Sequence, residues 1–191
     1  MRVWQFDHAG KCGWFIWLGS SHVSGVSDLT DRKKAGLPPH ATLLAVRLEN
    51  LRKLLEELRA EYGIPHLISI ESPLVPRGGG NITAQSATPG LAGYGYLQWY
   101  AAKVGAKFTE TPQDRWRSHF MRQTRAPSKK RLAELGYKDG TSFLKALCKE
   151  KCDSLGLRYA DDNEADAIGQ GDYLLHELKI QPPWRTDNAL A

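Results

Sequence analysis

No stretch of this chain approaches the roughly 20 consecutive apolar residues that a membrane span requires, so no membrane partner is expected. The N-terminus, Met1-Arg2-Val3-Trp4-Gln5-Phe6-Asp7, places an acid where a secretory signal would be apolar, which predicts a cytoplasmic protein. Cysteine is scarce, with only Cys12, Cys148 and Cys152. No His or Cys pair completes a zinc set around Cys148 and Cys152, so reduced, mostly packed thiols are expected. Nucleotide loops are missing as well. Arg77-Gly78-Gly79-Gly80-Asn81 lacks the Gly-Lys-Ser/Thr that makes a P-loop, and Gly90, Gly93 and Gly95 fail the dinucleotide spacing. No internal repeat is visible.

What is present suits one sizeable soluble core. The chain has 191 residues, of which 41% are hydrophobic. A single domain over residues 1–180 is predicted, followed by a tail over 181–191. The net charge is +5, but it is unevenly placed. Between Arg115 and Lys151 stand eleven Lys/Arg and three acids, a local surplus of eight that leaves the rest of the chain at −3. A polyanion touching one region is the natural inference.

Periodicity and breakers order the elements. Arg2 to Asp7, Trp14 to Leu18 and Ser21 to Leu29 read as an antiparallel meander, and Asp28 to His40 as a polar loop. Ala41 to Tyr62 reads as a helix, with Leu44, Leu48, Leu51, Leu55, Leu58 and Tyr62 at alternating spacings of four and three and Gly63 as its stop. It suits a core helix, with a dimer contact as the other reading. His66 to Glu71 is a short strand, Thr83 to Gly105 a second long helix and Ala106 to Glu110 a strand. Thr111-Pro112 reads as the cap of a helix carrying Arg115, Trp116, Arg117 and Phe120. Basic residues among aromatics suit a nucleic-acid surface, and Trp116 with Phe120 also suits a core face. Short helices follow over Ser128 to Leu135 and Thr141 to Leu155. Lys145 and Lys149 are placed to meet an anion, and Arg77 to meet a backbone phosphate.

Three carboxylate sites lie far apart along the chain. Asp7 ends the first strand and Glu71 a later one. Asp161-Asp162-Asn163-Glu164-Ala165-Asp166-Ala167 opens the last long helix. Asp162 and Asp166 are four apart and Asn163 and Asp166 three apart, so either pair shares a helix face. Each has a plain structural reading: a turn-initiating Asp, a solvated strand end, and acids capping a helix N-terminus. An EF-hand is excluded because its glycine position is Asp166. If the first and later strands run parallel side by side, the acids converge on divalent metal. Two cations roughly 3.5–4 Å apart would then activate water for phosphodiester hydrolysis.

Asp7-x-x-Gly10-x-x-Gly13, Ile70-Glu71 and Asp162-Asn163-Glu164-Ala165-Asp166-Ala167, in this order, resemble the RuvC-type Holliday junction resolvases, the phage or prophage branch most nearly. The similarity spans Met1 to Leu178. It implies an α/β, RNase H-like fold: a mixed central sheet, antiparallel meander first, with helices on both faces. It implies Mg²⁺ dependence with Mn²⁺ as substitute, a homodimer, and paired nicking of branched DNA in a bacterial or phage-infected cell. Asp7, Glu71 and Asp166 carry over as metal ligands. The family's acid or His three residues before the last Asp is here Asn163, and Asp162 is the other candidate for that fourth ligand. Arg115, Arg117 and Lys145 lie where the family's basic residues meet DNA. The competing expectations are a nuclease of the same fold acting on flaps or RNA–DNA hybrids, and a non-catalytic binder of branched DNA.

Overall fold

Val3–Asp7 is buried at every position but its last because both of its faces are covered. The computed structural model describes residues 1–73 and 84–185. Strands β1 (Val3–Asp7), β2 (Lys11–Trp17) and β3 (His22–Asp28) precede helices α1 (Arg32–Ala35) and α2 (Leu43–Tyr62). Then come β4 (Leu67–Glu71), α3 (Ala84–Val104), β5 (Lys107–Thr111), α4 (Gln113–Met121) and α5 (Lys129–Glu134). Helices α6 (Gly140–Ser154) and α7 (Asp162–Glu177) and a 3-10 turn at Pro183–Arg185 follow. The strands form one five-stranded sheet in the order β3-β2-β1-β4-β5. β2 runs antiparallel to both β1 and β3, whereas β4 and β5 run parallel to β1.

Alternating strand residues feed two cores. On one face Trp4, Phe6, Ile16 and Ile68 meet α2 and α3. On the other, Val3, Phe15, Trp17 and Leu67 meet α4, α6 and α7. The expected mixed sheet with helices on both faces is what the chain adopts. The leucine repeat of α2 is a core face: Leu51, Leu55 and Leu58 are buried, joined by Val46 and Leu54. All three cysteines are free and buried. Among the described residues no helix is long and apolar enough to cross a membrane.

Several local expectations are corrected. β2 begins at Lys11, before Trp14, because Lys11, Cys12 and Gly13 already pair with Asp28, Ser27 and Val26. The loop after β3 contains α1, capped by Asp31 and closed by Gly36 at φ 66°. Asn50 in α2 anchors that loop, its amide donating to the carbonyls of Leu29 (3.0 Å) and Asp31 (2.9 Å). Thr111 does not cap α4: it is the last residue of β5, and Pro112 precedes the helix without a side-chain cap. In the stretch read as a tail, Trp184 and Arg185 bond to Asp172 of α7.

Candidate functional site

Strands β1 and β4 are parallel with Phe6 opposite Ile70. The next residues, Asp7 and Glu71, therefore leave neighbouring strand ends together, at the edge where open α/β sheets place their sites. Across β1 and β2, Asp7 pairs with Gly13. A Cβ at Gly13 would stand 2.0 Å from the backbone oxygen of Asn163. Only glycine lets the first turn of α7 settle there, and that contact brings Asp166 over the strand ends.

Asp7, Glu71 and Asp166 are each half-buried. Burial pushes the Asp7 carboxyl well above its ordinary range, the charges of Glu71 and Asp166 push it further, and Gln170 and Lys145 oppose them. Asp166 is pushed up to about 6, first by burial; Glu71 adds to this, while the Cys148 thiol, Lys145 and Arg117 pull it down. Three carboxylates from three elements thus share one electrostatic neighbourhood. Among the described residues no group of three or more acidic, His or Cys side chains is arranged to hold a metal ion. The donor chemistry does fit a hard divalent cation: half-buried, mutually repelling oxygens whose repulsion a cation would relieve.

The acidic stretch opening α7 divides by role. Asp161 is the N-cap, accepting from the backbone N–H groups of Asn163 and Glu164. Glu164 accepts from Ser24 Oγ of β3 at 2.6 Å and from the Ala160 N–H at 2.8 Å. Asn163 donates its amide to Asp161 Oδ2 at 3.3 Å. Asp162 forms an ion pair with Lys145 of α6, which lowers its pKa. Asp166 alone among them raises Asp7. Of the four acids expected to hold metal, then, Asp7, Glu71 and Asp166 feel one another's charge, and Asp162 is paired with Lys145. Lys145 itself also feels Asp166 and Asp7.

A polar row under the site was not anticipated. Gln5 Nε2 donates to Gln170 Oε1 at 2.6 Å, Thr111 Oγ1 donates to Gln5 Oε1 at 3.0 Å, and the Ser69 and Thr111 hydroxyls bond at 2.8 Å. It ties β1, β4, β5 and α7 together inside the sheet. Its signal in the sequence is one polar residue inside an apolar run, Gln5 in the first strand and Ser69 in the fourth.

Arg115, Arg117 and Arg125 line an open groove of about 990 Å³ beside Thr141 and Leu144. Arg117, Thr141 and Leu144 also line a cavity of about 70 Å³ that reaches Trp116, Lys145 and Asp166. The basic groove therefore adjoins the cavity that reaches Asp166. Lys149, one turn after Lys145, acts on Asp162. Arg77 lies outside the described residues.

No protein-family profile and no curated protein sequence matches the chain. Solved structures do resemble it. T. thermophilus RuvC in complex with a Holliday junction substrate superposes with a TM-score of 0.57 at 11% identity, over 93% of this chain and 96% of that one. A second Thermus thermophilus RuvC structure gives 0.48 at 14% identity, over 94% and 97%. The first likeness shows that the fold is the RNase H-like one the sequence led us to expect.

Proposed function

We propose that the protein is a metal-dependent, structure-selective endonuclease that resolves four-way DNA junctions by paired nicking. The observation that carries this reading is that Asp7 and Glu71 leave the ends of two adjacent inner strands and, with Asp166 of α7, feel one another's charge. These residues would hold two divalent cations, Mg²⁺ or Mn²⁺, with Asp162 or Asn163 as the fourth donor. When bound, such a pair activates water and stabilises the leaving oxygen of a phosphodiester. Lys145 offsets the negative charge of the site, and Arg115, Arg117 and Arg125 seat the DNA backbone beside it. The likeness to a RuvC bound to a Holliday junction substrate supports branched DNA as the partner. Paired nicks require two copies of the chain, and α2 and α3 are the candidate contact helices. The protein acts in the cytoplasm of a bacterial or phage-infected cell.

The test is incubation of pure protein with labelled four-way, flap and RNA–DNA hybrid substrates, with and without Mg²⁺. Symmetric Mg²⁺-dependent nicks confined to the junction support the reading. Cutting of flaps or hybrids instead reassigns the protein to the broader nuclease class. Binding without cutting makes it a junction-binding module, an outcome favoured by one feature, the Asn163 amide being turned to Asp161.

The groove carries its own expectation. In the double variant Arg115→Gln/Arg125→Gln, junction affinity falls about tenfold or more, and the slope of log affinity against log salt shrinks by about two. Anisotropy titrations over a salt series read both numbers. An unchanged slope places the DNA elsewhere.

A further inference from the structure

The geometry points to Trp116 as a positioning residue, one whose indole N–H holds Glu71 in the orientation that serves the metal. This rests on the metal-dependent reading above and assigns a new role within it.

Trp116 Nε1 donates to Glu71 Oε1 at 2.9 Å. An indole N–H is a donor only, and a ligating carboxylate needs such a partner on its outer side to fix its rotamer. Glu71 has particular need of one. It is the last residue of β4, and the charges of Asp7 and Asp166 tend to drive it away.

The donor itself is closely packed. Trp116 is 1% exposed. A Cβ at Gly169 of α7 would stand 3.1 Å from its ring and 2.9 Å from Phe120, so α4 lies flush on α7 at this point. Trp116 thus couples Glu71 to the helix that carries Asp166. Bonding is not an automatic consequence of burial in this chain: Trp4 and Trp14 bury their indole nitrogens without a partner among the described residues.

The test is Trp116→Phe, which keeps an aromatic ring and removes the donor. Mn²⁺ binding to the DNA-free protein is measured by calorimetry, alongside the Mg²⁺ dependence of junction cleavage. Mn²⁺ affinity is expected to fall about tenfold, within the range typical for loss of an outer partner. The Mg²⁺ concentration for half-maximal cleavage rises by a similar factor. Junction binding in EDTA stays within a few-fold of wild type. Equal Mn²⁺ affinity in variant and wild type overturns the assignment.

Should Trp116→Phe fail to fold, the ¹⁵N indole resonance of Trp116 decides. It shifts in Glu71→Ala if the bond exists in solution, and an unmoved signal overturns the proposal. If the wild-type protein binds no Mn²⁺ at all, the metal-dependent reading fails first and the positioning role falls with it.

Discussion

Asp7→Asn is expected to abolish junction cleavage while leaving junction binding intact. The change is nearly isosteric but removes a charge and a hard donor from the centre of the site. Losing several kcal/mol of metal-derived stabilisation corresponds to about a 10³-fold or larger drop in rate. Binding moves the other way or not at all, because removing negative charge does not weaken affinity for a polyanion.

The electrostatics add a second readout. Burial, Glu71 and Asp166 all disfavour the ionised form of Asp7. Neutral Asn removes that repulsion, so the metal-free variant is expected to melt at or above the wild-type temperature, as happens where function holds strain. Single-turnover cleavage, anisotropy in EDTA and a thermal scan measure the three effects. Cleavage retained at more than a few per cent would exclude Asp7 from the reacting centre.

Asp172→Asn is expected to destabilise the fold by about 3 kcal/mol, the scale for removing one partner of a buried ion pair. Asp172 is 1% exposed. It accepts from His119 Nε2 (3.0 Å), Trp184 Nε1 (2.7 Å) and Arg185 Nε (3.1 Å). The His119 ring stacks on His176 with centroids 4.5 Å apart. Burial alone would raise the pKa of this carboxyl, but the bonds from His119, Arg185 and Trp184 outweigh it and bring it down to about 2.

The sign follows from that shift. A carboxyl depressed on folding contributes stability above its unfolded pKa, near 4, and loses it as pH falls through its folded pKa. About 2–3 kcal/mol is at stake, from a shift of nearly two pK units. The gap between wild type and Asp172→Asn should therefore be constant above pH 5 and narrow between about pH 4 and pH 2. At neutral pH the variant should melt on the order of 10 °C lower. Denaturation midpoints across that pH range check both. A gap that persists unchanged at pH 2 would show that Asp172 matters for packing rather than charge.

Much of the architecture is legible before any coordinates. The leucine spacing of α2, the glycine stops and the apolar runs are local patterns, and local patterns set helices and strands. The acids at the ends of β1 and β4 stand out for the same reason, each closing an apolar run. Thr111 misleads because a Thr-Pro pair resembles a helix start from sequence alone. Its hydroxyl instead meets Ser69 and Gln5, partners 42 and 106 residues away. The Asp172 cluster is equally hidden, since its partners lie 53 residues before it and 12 and 13 after it.

Chain order and local pattern thus suffice for the kinds of element, for a basic region after β5 and for acids at two strand ends. They do not say which acid of Asp161, Asp162, Glu164 and Asp166 turns inward. A helix presents the same side chains whichever way it is rotated, and packing picks the rotation. Here Gly13 admits the backbone of Asn163, Asp161 caps the helix, and Glu164 is held by Ser24. Those contacts leave Asp166 within electrostatic reach of Asp7 and Glu71. The same packing seats Trp116 on Gly169 and so sets its N–H against Glu71. Contacts between residues tens of positions apart carry no periodic signature, so only the packed chain reveals them.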